Sequence, residues 1–187
     1  MYLLGYVPKE DRVFLIDKAY NVVSYKLLLS VLNYQTAVVR RDFDSANSIL
    51  PSIPQSEHNA VARFLESQGF KEEALSVSTD LDHRFELAID LKNLEVAKTV
   101  LYGENHEADP SSTDVQNKWR RLGDLALNAG DVELAQLCAT NSGDLSGMLL
   151  IHAAAANKEG MLELAEKAKA SGRTNVAFLA FFVTGQV

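Results

Sequence analysis

From residue 25 onward, apolar residues recur at helical spacing. Leu27, Val31, Tyr34 and Val38 fall at i, i+4, i+7 and i+11, with Leu28 and Leu32 widening the stripe. Val115, Trp119, Leu122, Ala126 and Ala129 repeat that spacing, and Leu145, Met148, Leu149, His152 and Ala156 do so again. Asp42, Asp80 and Ser112 stand where N-caps are needed, and Gly69, Gly130, Gly143 and Gly172 stand where helices should end. Residues 1–24 have another pattern. Residues 2–7 are aromatic and apolar, residues 8–11 supply turn chemistry, and residues 12–16 form a second β-prone run. Val22, Val23 and Ser24 are β-branched or small, but the run is too short to assign. Two or three strands alone make a marginal sheet. The pattern therefore predicts a β-strand remnant of a preceding domain over 1–24 and an all-α body over 25–187.

That body carries an internal repeat. Trp119-x-x-Leu122-Gly123-x-x-Ala126, leading through Gly130 to Ala135, matches the opening of the tetratricopeptide (TPR) helix-turn-helix pattern. The expected reason is steric. Gly123 and Ala135 are small because the two helices of a pair cross closely there. Second helices can likewise be anchored on Ala46, Ala74, Ala97, Ala135 and Ala165. Twelve residues before three of these stand Ala62, Gly123 and Ala153, again small, whereas Tyr34 and Phe85 precede Ala46 and Ala97 and do not fit. The expected fold is a degenerate TPR-like α-solenoid of about five helix pairs, each burying its neighbour's apolar face.

Residues 175–184 are almost wholly apolar and read as a first helix awaiting a partner, and Gly185-Gln186-Val187 resembles Gly130-Asp131-Val132, which opens a second helix. The expectation is a solenoid truncated at its C-terminal end, whose last helix self-associates or frays. Residues 103–114 have the composition of an acidic, mobile insertion between helix pairs.

Composition narrows the partners. With 47% hydrophobic residues in 187, the chain can bury a core without staples. Lys+Arg 18 against Asp+Glu 25 gives a net charge of −7, a sign that opposes nucleic acid and anionic lipid. One cysteine, Cys138, cannot form an internal disulfide. No apolar run approaches the ~20 residues of a membrane span, and the start lacks a signal peptide's basic opening. The expected compartment is the cytosol, without direct membrane insertion.

Candidate chemistry is sparse. Phosphate-cradling loops, HExxH and GxSxG are missing, and one cysteine with scattered histidines supplies no structural zinc set. His58 is expected to be exposed near a helix start. His106, with Glu104, Glu107 and Asp109, sits in a loop that gives a metal little fixed geometry. His152 reads as a hydrogen-bonded core residue. Asp80, Asp82, His83 and Glu86 could be sketched as an acid–base cluster, but capping and the helix dipole explain them better. Arg40-Arg41 closes a helix, and Arg120-Arg121 is expected to flank Trp119 through cation–π or ion-pair contacts, or else to read an acidic peptide. Cys138 reads as a buried inert thiol. No catalytic activity, cofactor or metal is expected. The residues singled out are structural: Trp119, Leu122, Gly123, Ala126 and Ala135 as repeat packing.

Several strings also resemble a known family. Tyr2-Leu3-Leu4-Gly5-Tyr6-Val7-Pro8-Lys9 resembles the end of the second β-propeller in β′ subunits of the coatomer, the coat of Golgi-derived vesicles. Asn21-Val22-Val23-Ser24-Tyr25 and Tyr34-Gln35-Thr36-Ala37-Val38-Val39-Arg40-Arg41-Asp42-Phe43 are similar to the entry of that family's helical solenoid. Ala62-Arg63-Phe64-Leu65-Glu66-Ser67-Gln68-Gly69-Phe70, Val77-Ser78-Thr79-Asp80 and His83-Arg84-Phe85-Glu86-Leu87-Ala88 resemble its next repeats, and Asn175-Val176-Ala177-Phe178 the helix before a further one. Residues 103–114 look longer than the family pattern, and 144–170 match in pattern more than in letters. The resemblance implies two upstream propellers that hold the dilysine-cargo sites, so no cargo residue carries over to this chain. It also implies a scaffold that pairs with the coatomer α subunit, acting between Golgi and endoplasmic reticulum and peripheral on Golgi membrane. Two rivals remain: an adaptor holding short peptides in a groove, and an enzyme with perturbed ionisable groups in a pocket.

Overall fold

A computed structural model describes residues 1–104 and 112–186. The chain opens on three strands, β1 (Tyr2–Val7), β2 (Arg12–Ile16) and β3 (Val22–Lys26), paired antiparallel in that order. A register shift between Leu3 and Gly5 bulges β1. Asp17 shapes the second turn by accepting from the backbone N–H groups of Ala19 at 2.7 Å and Asn21 at 2.9 Å. The third strand is longer than the sequence suggests. Tyr25 and Lys26 pair with Val13 and Arg12, so the ladder overrides the helical stripe and Leu27 stays outside the first helix.

Eleven α-helices follow among the described residues, and the chain divides into two compact units, Met1–Asp80 and Leu81–Val187. In the first unit, α1 (Leu29–Val39) packs on α2 (Phe43–Ile49) and α3 (His58–Ser67), and α3 packs on α4 (Lys71–Val77). Val38, Ala46, Val61, Ala62, Leu65 and Ala74 are fully buried there. Asp42 caps α2, its carboxylate accepting from Ser45 N–H at 3.1 Å. Phe43 and Phe70 meet edge to face at 4.9 Å. Asn59 of α3 accepts from the backbone N–H groups of Thr79 and Asp80, at 2.9 and 3.1 Å, which fixes the exit from α4. His58 is half-buried rather than exposed, its Nε2 lying 3.3 Å from the Ile53 carbonyl.

The second unit holds α5 (Leu81–Asp90), α6 (Leu94–Glu104), α7 (Thr113–Ala129), α8 (Val132–Ser142), α9 (Leu145–Ala154), α10 (Lys158–Ala170) and α11 (Thr174–Thr184). Each helix packs on the next, and α7 also touches α5 as α11 touches α9. Short connections enforce this order. Gly130 and Gly143 end α7 and α8 with φ of 79° and 66°, a region open to glycine at little cost. The aspartate after each closes one helix and opens the next. Asp131 N–H donates back to Ala126 O at 2.9 Å while its carboxylate accepts from Leu134 N–H at 3.0 Å. Asp144 does the same with Ala139 O and with the N–H groups of Ser146 and Gly147. Ser112 occupies the N-cap of α7, but its side chain makes no capping bond.

The fold is all-α and TPR-like, with five helix pairs, α11 after them and the small sheet in front. Ala46, Ala74, Ala97, Ala135 and Ala165 lie one on each second helix, all 0–2% exposed. Two details differ from the sequence reading. Ala153 is exposed, and the tight approach in that pair is made instead by Gly160 of α10 against the buried His152 ring of α9. Ala156 leaves the α9 stripe because it sits past the helix end with φ of 51°. Of the expected loop over 103–114, Gly103 and Glu104 belong to α6, and Thr113 and Asp114 belong to α7. The remainder, with His106, lies outside the described residues.

Candidate assembly surface

The α7–α8 pair is organised around Trp119, which is 1% exposed and meets Tyr102 edge to face at 5.6 Å. Leu122 and Ala126 continue the buried face of α7, and Ala135 answers from α8. Gly123 faces Cys138 rather than Ala135. A Cβ built on Gly123 would lie 3.1 Å from Cys138 Cβ, a tighter contact than most side chains make, so the missing side chain eases the approach of α8. Cys138 is fully buried, and burial pushes its thiol up to about 12, which keeps it protonated at neutral pH.

The charged residues between α5 and α7 form a set of cross-helix pairs. The Lys118 ammonium binds the Asp82 carboxylate and reaches Asp114 at 3.4 Å. Arg121 donates twice to Glu86, at 2.5 and 2.7 Å, and both cations stand about 6 Å from the Phe85 ring, at 6.0 Å and 5.7 Å. The guanidinium holds the Glu86 carboxyl below its ordinary range, and Glu86 in turn raises Arg121. Dipole placement accounts for Asp82 and Glu86 within their own helix, but the structure commits both to α7. Arg121 stacks on Phe85, not on Trp119.

The carboxylates of the sketched acid–base cluster are engaged by cations. Asp80 lies 3.7 Å from Arg63, Asp82 is held by Lys118 and Glu86 by Arg121. His152 is 5% exposed, with Nδ1 accepting from the Asn157 amide at 3.5 Å. Among the described residues no three His, Cys, Asp or Glu side chains are gathered for a metal, and no helix is long and apolar enough to cross a membrane.

Several exposed patches are apolar. Phe178 and Phe182 stack at 6.0 Å on α11 and are 56% and 64% exposed, with Leu179 and Val183 beside them. Leu127, Val132 and Leu150 are half or more exposed around a groove of about 410 Å³. On α1, Leu29, Leu32 and Val39 face water, as do Leu3, Leu4 and Tyr25 on the sheet. Leu150 falls outside the helical stripe of Leu145, Met148, Leu149 and His152 and is exposed, whereas Ile151, also outside it, is buried.

The COPA/B TPR domain family model matches residues 34–187. The chain is 48% identical over all 187 residues to coatomer subunit β′-2 of Oryza sativa subsp. japonica, 48% to coatomer subunit β′-1 of Arabidopsis thaliana and 48% to coatomer subunit β′ of Macaca fascicularis. It spans 19–20% of the length of these relatives. With its helix pairs matched by that model and its whole length aligned with part of the coatomer β′ subunits, the chain belongs to the COPA/B TPR domain family.

Proposed function

We propose that this chain is a structural, non-enzymatic scaffold segment of the vesicle coat. It acts in protein transport between Golgi and endoplasmic reticulum by pairing its helices with those of the coatomer α subunit. One observation carries the reading: a match to β′ subunits over the whole chain covers a body that exposes several apolar helix patches. Lys118 and Arg121 of α7 are spent on internal pairs with Asp82 and Glu86 of α5, which suits a rigid building element better than a catalyst. In this reading Trp119, Leu122, Gly123, Ala126 and Ala135 serve repeat packing and contact no partner. Residues 1–24 belong to a preceding propeller, and residues 25–187 are the opening of a longer solenoid. The protein works in the cytoplasm and is held at Golgi membranes through other coat subunits.

Calorimetric titration with the helical region of an α subunit from the same species tests this. Saturable binding near one to one is expected, weakened by an acidic substitution at Phe182 or Leu32. A well-folded chain that gives no heat with the α subunit would remove this stretch from the α contact.

A further inference from the structure

The buried His152 of α9 carries one ring nitrogen that no described residue pairs. The side chain is 5% exposed, and its Nδ1–Cε1 edge lies against Gly160 of α10, where a Cβ would come within 2.7 Å of both atoms. Asn157 fixes the tautomer. Its side-chain oxygen accepts from Gly160 N–H at 3.0 Å, so its amide NH2 is the end presented to His152 Nδ1, at 3.5 Å. Nδ1 then accepts, and the ring proton sits on Nε2. Among the described residues nothing accepts from Nε2, and a buried donor left unpaired is costly. His152 lines a pocket of about 280 Å³ together with Ala153, Ala156, Lys158 and Met161 and, from the end of α11, Val183. Lys158 is the one charged residue of that lining and makes no ion pair among the described residues. It is also the first residue of α10, whose N-terminal end adds positive potential. Glu159 in the same turn offsets part of that potential but does not line the pocket. Donor, ammonium and helix end border one space and suit an acceptor of negative charge, while the aliphatic lining suits a short hydrocarbon behind it. The volume falls just below the roughly 300–1,000 Å³ of small-molecule sites, which fits one residue of a polypeptide better than a free cofactor. We propose that this pocket takes a carboxylate of another polypeptide, a chain terminus or an acidic side chain beside an aliphatic residue. Nε2–H and Lys158 hold the carboxylate, and Met161 and Val183 meet the hydrocarbon.

The test is NMR of the 187-residue chain, following the His152 ring in long-range proton–nitrogen spectra. No coat subunit is present, so the result is independent of the scaffold reading. The spectrum of the chain alone should show the ring proton on Nε2. Isocaproate, a carboxylate on a short branched chain, should move the Nε2 signal saturably. Its uncharged amide should bind several-fold more weakly. Lys158→Ala, at an exposed position that leaves the fold intact, should weaken isocaproate several-fold and remove most of the salt dependence. Two peptides separate the sources: acetyl-Leu-Leu with a free carboxyl end, and acetyl-Leu-Glu-Leu capped as the amide. A saturable shift of the Nε2 signal with either supports the proposal, the first assigning a chain terminus and the second an acidic side chain. The proposal is overturned by a ring proton found on Nδ1, by no movement of the His152 signals up to about 20 mM isocaproate, by equal affinity for the amide, or by unchanged affinity in Lys158→Ala. Isocaproate binding while neither peptide binds would make this a site for free small carboxylates and overturn the assignment to a polypeptide.

Discussion

At Gly123 a single missing side chain sets the distance between two helices. Its Cβ position lies 3.1 Å from Cys138 Cβ, with the Cys138 side chain fully enclosed. Gly123→Leu should therefore wedge α7 from α8 and cost about 1–3 kcal/mol by overpacking, read as a lowered midpoint in urea. The Glu86–Arg121 pair makes a different kind of contribution. Both side chains are about half exposed, so screening limits the pair to about 0.2–1 kcal/mol. Because the folded carboxyl titrates below its ordinary value, that stability is present above the ordinary carboxylate range and lost as pH falls through the lowered folded value. Glu86→Gln should thus lower the melting temperature at pH 7, and the gap should close as pH falls below the ordinary carboxylate range. The sequence shows that Gly123 has to be small, because the repeat pattern puts it at a crossing. It does not show that Cys138 is the neighbour, nor that Glu86 and Asp82 reach α7, since both facts depend on how helices distant in sequence rotate against each other.

Single helices here are set mainly by their ends. The glycine–aspartate pairs at 130–131 and 143–144 are legible as stop signals, and the aspartates prove to be start signals too. At the Asn157 cap of α10 the balance between propensity and space can be weighed. Replacing a helical glycine by alanine stabilises by about 1 kcal/mol in the open. A Cβ on Gly160, however, would sit 2.7 Å from the His152 ring and 2.8 Å from the Asn157 amide nitrogen. The ring is buried and the Asn157 side chain is pinned by accepting from Gly160 N–H, so neither can yield cheaply. Gly160→Ala should destabilise despite the propensity gain, and a raised melting temperature in calorimetry would contradict that packing. The third strand is hidden for a related reason. Tyr25 and Lys26 are extended only because β2 offers Arg12 and Val13 as ladder partners, and that information lies outside the local window.

For the molecule as a whole, the helix-pair architecture is visible in the sequence, because five alanines recur on the second helices and all five are enclosed. The outward surface is not. α11 is apolar on nearly every side, so its sequence alone does not say which residues meet water. The structure assigns Phe178 and Phe182 to that group, and an uncovered stacked pair of this size favours self-association when the chain is alone in solution. The isolated chain should sediment with a concentration-dependent coefficient, and Phe178→Asp combined with Phe182→Asp should abolish that dependence. A constant coefficient in the unsubstituted chain over the same range would argue against it.

The packing of each helix on its immediate successors has a consequence for how the protein is made. In the second unit, contacts run from α5 to α6, α6 to α7 and onward, reaching no further than the next helix but one. Little sequence therefore separates partners, so loop-closure entropy is small and folding should be fast for the size. A polypeptide emerging from the ribosome can complete one helix pair, and protect its enclosed alanine, before the next pair has been synthesised. Each finished pair then offers its apolar face as the template on which its successor folds.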